Sequence, residues 1–133
     1  MIVLDTHVLV WWVNGDGGLS AAAERAIAEE MGNPDGLILV SSISAWEIAL
    51  LIQRGRLLLS TNLEEWLSAV QEIPAVRFVP VNNDIGVQST RLPDEFHPDP
   101  ADRIIVALAR HMAVPLVTAD ARIRAYPHVR TIW

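Results

Sequence analysis

Four carboxylic acids stand where chain direction and polarity change together. Asp5 closes the apolar run Ile2-Val3-Leu4, and Asp120 follows Leu116-Val117-Thr118 with one residue between. Asp102 lies in the first turn of a helix that Asp99-Pro100 opens, and Glu47 sits about a turn and a half into the apolar helix Ile43-Ser44-Ala45-Trp46-Glu47-Ile48-Ala49. Carboxylates brought together repel one another and lose hydration, so their pKa values rise unless a cation intervenes. An oxygen-only donor set with no cysteine suits Mg²⁺ or Mn²⁺. Such ions polarise a phosphodiester and lower the pKa of water, so the chemistry implied is phosphodiester hydrolysis. Asp99 is a further acid close enough to share the work of Asp102. Asp5, Asp99 and Asp120 also stand where a helix N-cap belongs, and Asp102 stands three residues after Asp99, where an acid favours the helix dipole, so these roles compete with metal binding. Glu47 has no capping role, and its helix is apolar almost all round, so burial is expected for it, the alternative being a narrow solvated stripe with Ser44 and Arg54.

These acids need a frame that gathers them. Short apolar runs at Ile2–Leu4, Leu37–Val40, Val76–Val81, Leu116–Thr118 and His128–Trp133 read as strands. Helices are expected between them: a short one after Asp5, then Ala21–Met31 behind the cap Ser20, Ile43–Gln53, Leu63–Glu72, Asp84–Arg91 and Asp99–Met112, with a last turn capped by Asp120. Pro80 is the weak point of the third strand. Strands that alternate with helices predict an α/β fold with a parallel sheet covered on both faces, because each parallel connection needs a crossover. Ligands of such sheets bind beyond the carboxyl ends of the strands, where Asp5 and Asp120 fall.

Composition narrows the alternatives. At 133 residues and 51% hydrophobic, the chain is sized for one domain, residues 1–133. The absence of cysteine excludes disulfides, thiolate nucleophiles and zinc ribbons. All ten basic residues are arginine, which excludes a Walker A loop and Schiff-base chemistry, both dependent on lysine. The net charge of −6 means that any contact with nucleic acid is local, not long-range. No apolar stretch is long enough to span a membrane and no signal peptide opens the chain, so a cytoplasmic location is expected.

These residue blocks resemble the PIN domain, and within it the VapC toxins of bacterial toxin–antitoxin pairs, along nearly the whole chain. Val3-Leu4-Asp5-Thr6-His7-Val8-Leu9 with Trp11-Trp12 is similar to the family's opening, and Ser42–Ala49 to its glutamate helix. His97-Pro98-Asp99-Pro100-Ala101-Asp102-Arg103-Ile104-Ile105 and Leu116-Val117-Thr118-Ala119-Asp120 are similar to the blocks of its two later aspartates. The resemblance implies that Asp5, Glu47, Asp102 and Asp120 hold one or two Mg²⁺ or Mn²⁺ ions for in-line hydrolysis of RNA. It also implies a five-stranded, mainly parallel sheet in a three-layer α/β/α sandwich, a homodimer, and a VapB-type antitoxin lying across the site. Thr6, Ser42 and Thr118 are candidate hydroxyls behind the metal ligands, with helix capping and turn hydrogen bonds as their other role. Arg103 is a candidate phosphate contact, or else a partner for an acid of its own chain.

Core packing is expected for Trp46, Trp66 and Trp133. Adjacent Trp11 and Trp12 point about 100° apart on a helix, so burying both requires contact on two sides and favours a partner surface. His7, His97, His111 and His128 share no ligand spacing and are expected to be satisfied or exposed. Two competing functions stand beside the nuclease. One is an aspartate-dependent phosphatase, which needs an acid where His7 stands and a lysine the chain lacks. The other is a non-catalytic module that binds an antitoxin or RNA.

Overall fold

A computed structural model describes residues 1–133. Five strands, β1 (Ile2–Leu4), β2 (Ile38–Ser41), β3 (Val76–Val79), β4 (Leu116–Val117) and β5 (Thr131–Ile132), form one sheet in the order β3-β2-β1-β4-β5. Every pairing is parallel. The helices are α1 (Thr6–Asn14), α2 (Ala21–Gly32), α3 (Ile43–Gln53), α4 (Leu63–Gln71), α5 (Asn83–Thr90), α6 (Pro100–Met112) and α7 (Ala121–Arg124). None is long and apolar enough to cross a membrane.

The alternation of side chains along a strand divides the core in two. Ile2, Leu4, Ile38, Val40 and Val117 face one side and pack with Val8 and Leu9 of α1, Ile27 of α2 and Trp66 and Val70 of α4. Val3, Leu39 and Leu116 face the other and meet Ile85 of α5 and the buried stripe Ile105–Ala109 of α6. The sheet is therefore the middle layer of an α/β/α sandwich.

Expected strands shorten where the backbone cannot pair. The third stops at Val79 because Pro80 has no N–H to donate, and the fifth, an edge strand, keeps only Thr131 and Ile132. Trp66 is buried as expected, with its indole N–H on Asn14 Oδ1 at 3.0 Å. Trp46 is not: it is 52% exposed, because the core side of α3 is taken by Ser44 and Ile48. The pair Trp11-Trp12 is contacted on two sides within the chain. Trp12 packs on the first core cluster, while Trp11 meets the His7 ring at 5.0 Å and Trp133 at 5.9 Å, and both remain half-buried.

Candidate active site: carboxylates at the switch point

From β1 the chain winds outward to β2 and β3, then returns to the other side of β1 for β4 and β5. The carboxyl ends of β1 and β4 thus flank the point where winding reverses, which is where such sheets leave a crevice. Leu4 pairs with Val117, so the next residues, Asp5 and Thr118, emerge side by side. Asp5 N–H donates to Val117 O at 3.0 Å, and Thr118 Oγ1 donates to Asp5 Oδ2 at 2.7 Å. The other oxygen, Oδ1, accepts from Thr6 N–H at 2.8 Å and caps α1. Asp5 is 2% exposed, with each carboxylate oxygen bonded once and one lone pair left on each.

The remaining acids arrive from three helices. Thr6, beside Asp5, donates from Oγ1 to Glu47 Oε1 of α3 at 2.5 Å and also contacts Ser44 Oγ at 2.8 Å. Asp99 caps α6 by accepting from Asp102 N–H at 3.1 Å, with Pro100 in the first turn where its missing N–H is harmless. Asp120 caps α7, its Oδ1 accepting from Arg122 N–H at 2.8 Å and Ile123 N–H at 3.3 Å. Capping and convergence are therefore compatible: the caps orient the same carboxylates that meet in the pocket.

All five acids line one cavity of about 350 Å³, together with Thr6, His7 and the arginines Arg56 and Arg122. Within it, one carboxylate oxygen each from Glu47, Asp99 and Asp102 lies within 4.8 Å of the others. Ligand distances of about 2.0–2.6 Å around a hard cation put donor oxygens up to about 4–5 Å apart, so the trio fits such an ion. Asp99, the supplementary acid of the sequence, stands in this trio, whereas Asp5 and Asp120 line the wall beside it.

The electrostatics record what the crowding costs. Burial, reinforced by the charges of Asp5, Asp99, Asp120 and Glu47, pushes the Asp102 carboxyl up to about 7. Burial also raises Glu47; the Thr6 hydrogen bond opposes this and the charges of Asp5 and Asp99 add to it. Asp120 goes the other way. Partial burial would raise it, but the side-chain and backbone hydrogen bonds of Arg122 and the N–H of Ile123 outweigh that and hold it low. Arg122 Nη2 lies 3.3 Å from Asp120 Oδ2 and 3.8 Å from Asp102 Oδ2.

Several expected residues take other parts. Arg103 pairs with no acid of its own chain: its guanidinium donates to Ser89 O at 2.8 Å, Phe96 O at 3.0 Å and His97 O at 3.4 Å, pinning the segment that leads to Asp99. The arginines in the pocket are Arg56 and Arg122 instead. Ser42 makes no side-chain cap bond; Ser41 Oγ accepts from Ile43 N–H at 3.2 Å, and Ser44, fully buried, carries the hydroxyl that backs Thr6. Ser44 was legible in the sequence as a lone hydroxyl inside an apolar helix. His97 is neither satisfied nor exposed. Its side chain is 13% exposed, its two ring nitrogens make no hydrogen bond, and Nε2 stands 3.1 Å from Asp102 Oδ2. Burial and the nearby Arg122 charge lower its pKa. His7, where the phosphatase reading needs an acid, accepts from Ala119 N–H through Nε2 at 3.0 Å.

An all-parallel sheet with an acid-lined crevice at its switch point defines an α/β protein with a site able to hold a cation. A family model described as PIN domain matches residues 2–129, and the chain belongs to the PIN-domain family. It is 36% identical to Ribonuclease VapC22 of Mycobacterium tuberculosis over 99% of this chain and 98% of that protein. Among solved structures, VapBC2 from Rickettsia felis bound to a promoter DNA fragment matches with a TM-score of 0.70 at 16% identity, covering 98% of this chain and 97% of that one. VapC20 of Mycobacterium tuberculosis, described as a toxin that cleaves the sarcin-ricin loop, matches with a TM-score of 0.64 at 20% identity, covering 98% and 99%. At these identities the structural likeness establishes the fold.

Proposed function

We propose that this chain is a metal-dependent endoribonuclease, the toxin of a type II toxin–antitoxin pair. The observation that carries the proposal is the meeting of Glu47, Asp99 and Asp102 oxygens within 4.8 Å, in a pocket that Asp5 and Asp120 also line. The 36% identity to a named ribonuclease supports RNA as the substrate, and the VapBC neighbours support a VapB-type antitoxin as partner. The whole chain, residues 1–133, acts as one unit in this reading, and as a homodimer.

Glu47, Asp99 and Asp102 would hold Mg²⁺ or Mn²⁺, with Asp5 and Asp120 completing the shell directly or through water. When bound, the ion supplies charge neutralisation for the phosphodiester and a lowered pKa for water. The chain's own residues do the rest. Thr6 holds Glu47 and Asp5 and is held by Ser44, while Thr118 holds Asp5 and accepts from Asp120 N–H at 3.0 Å, so Asp5, Glu47 and Asp120 share one hydrogen-bonded scaffold. Burial of Asp5 and Asp102 fixes their rotamers and excludes bulk water from that side.

Cleavage of total RNA with Mg²⁺, with Mn²⁺ and with chelator, followed by mapping of cut sites, tests the proposal. Wild type cuts discrete sites only with metal, and Asp5→Asn folds but does not cut. Equal cleavage by Asp5→Asn, or cleavage in chelator, refutes it.

A further inference from the structure

The pocket holds five carboxylates against two guanidinium groups, an arrangement that repels an RNA phosphate until positive charge is added. Of the ten arginines, only Arg122 forms an ion pair with a carboxylate. Its guanidinium reaches between Asp102 and Asp120, acids from two different helices, yet its side chain stays 63% exposed. Two acids and the cavity thus meet at one solvent-accessible cation, carried on a side chain long enough to turn. A planar guanidinium also matches two phosphate oxygens at once, a geometry that ammonium lacks. Arg56 lines the same cavity from the connection after α3 and has no carboxylate partner within ion-pair distance.

We propose that Arg122 serves the pocket in two states. Before metal binds, it is the resident cation that bridges Asp102 and Asp120. Once a divalent ion neutralises the acids, its guanidinium turns to the non-bridging oxygens of the RNA phosphate. The inference rests on the nuclease reading and adds to it a phosphate-binding residue that also competes with the metal.

The two states give opposite signs in two measurements. Mn²⁺ titration of RNA-free protein by calorimetry should show Arg122→Gln binding about 30-fold more tightly, the effect of one unit charge about 4 Å from a divalent ion in water. Cleavage at saturating Mn²⁺ should fall about 10- to 100-fold in the same variant, the loss of a charge-assisted hydrogen bond. Arg122→Lys should restore part of the cleavage. Arg56→Gln removes the same charge from the cavity without touching Asp102 or Asp120, and should tighten Mn²⁺ less. A merely structural Arg122 would weaken metal binding and cleavage together, and that result overturns the inference. Unchanged cleavage by Arg122→Gln, or equal tightening by Arg56→Gln, also overturns it while leaving the nuclease standing. Absence of cleavage by wild type with Mn²⁺ removes both.

Discussion

Replacing Asp102 with asparagine should stabilise the metal-free protein at alkaline pH and destabilise the metal-loaded one. The Asp102 carboxyl is raised from 3.8 to about 7, chiefly by burial. At about 1.4 kcal/mol per unit, keeping it ionised in the folded chain costs roughly 4 kcal/mol. The sign follows from which state binds the proton more tightly. Here it is the folded state, so the penalty is absent below about pH 4, grows as pH rises, and is complete above about pH 7. Linkage puts about 1.5 kcal/mol of it in place at pH 5 and the remainder by pH 8. Water entry at the pocket mouth reduces the difference, leaving about 2 kcal/mol between these two conditions, or about 5–10 °C in Tm for a chain of this length. Thermal unfolding in chelator should therefore show the variant's advantage over wild type widening by that amount from pH 5 to pH 8. Added Mn²⁺ at pH 8 should raise the wild-type Tm and leave the variant nearly unmoved, because ligand stabilises only a chain that binds it. A Tm difference independent of pH in chelator, or equal Mn²⁺ stabilisation of both proteins, would refute the reasoning.

Other outcomes follow from the hydrogen bonds. Ser44→Ala should lose about 1 kcal/mol in urea unfolding by removing one of the two side-chain hydrogen bonds of Thr6, and should reduce cleavage, whereas Ser42→Ala should change neither. Arg103→Met should lose about 2–3 kcal/mol because the part-buried carbonyls of Ser89 and Phe96 go unpaired, with no change in the salt dependence of RNA binding. Gly55 ends α3 at φ 68° with open space around its missing Cβ, so Gly55→Ala should lose about 1 kcal/mol through backbone strain alone.

Much of this architecture was written in local signals. Strand–helix alternation announced the parallel sheet, Pro100 and Asp99 announced the start of α6, and the Ser20 cap appears where α2 begins. The four acids were legible because each stood at a strand end or early in a helix, and the fold brings such places together at the switch point. Long-range partners were not legible. Arg103 follows Asp102 in sequence but turns to carbonyls of Ser89, Phe96 and His97, a choice made by how α6 packs on the preceding loop. Arg56 reaches the pocket only because Gly55, in the left-handed region, reverses the chain so that Arg56 N–H bonds Leu51 O at 2.8 Å. His97 beside Asp102 and Trp46 facing outward likewise depend on side-chain directions that spacing alone does not specify.

Side chains from three helix starts, those of α1, α6 and α7, and from one face of α3 make a single cation site. Anomalous diffraction from crystals equilibrated with Mn²⁺ tests it most directly. The account predicts a peak within coordination distance of Glu47, Asp99 and Asp102, and its disappearance in Asp102→Asn crystals. An empty pocket at saturating Mn²⁺, or a peak only at some other acidic patch, would contradict it.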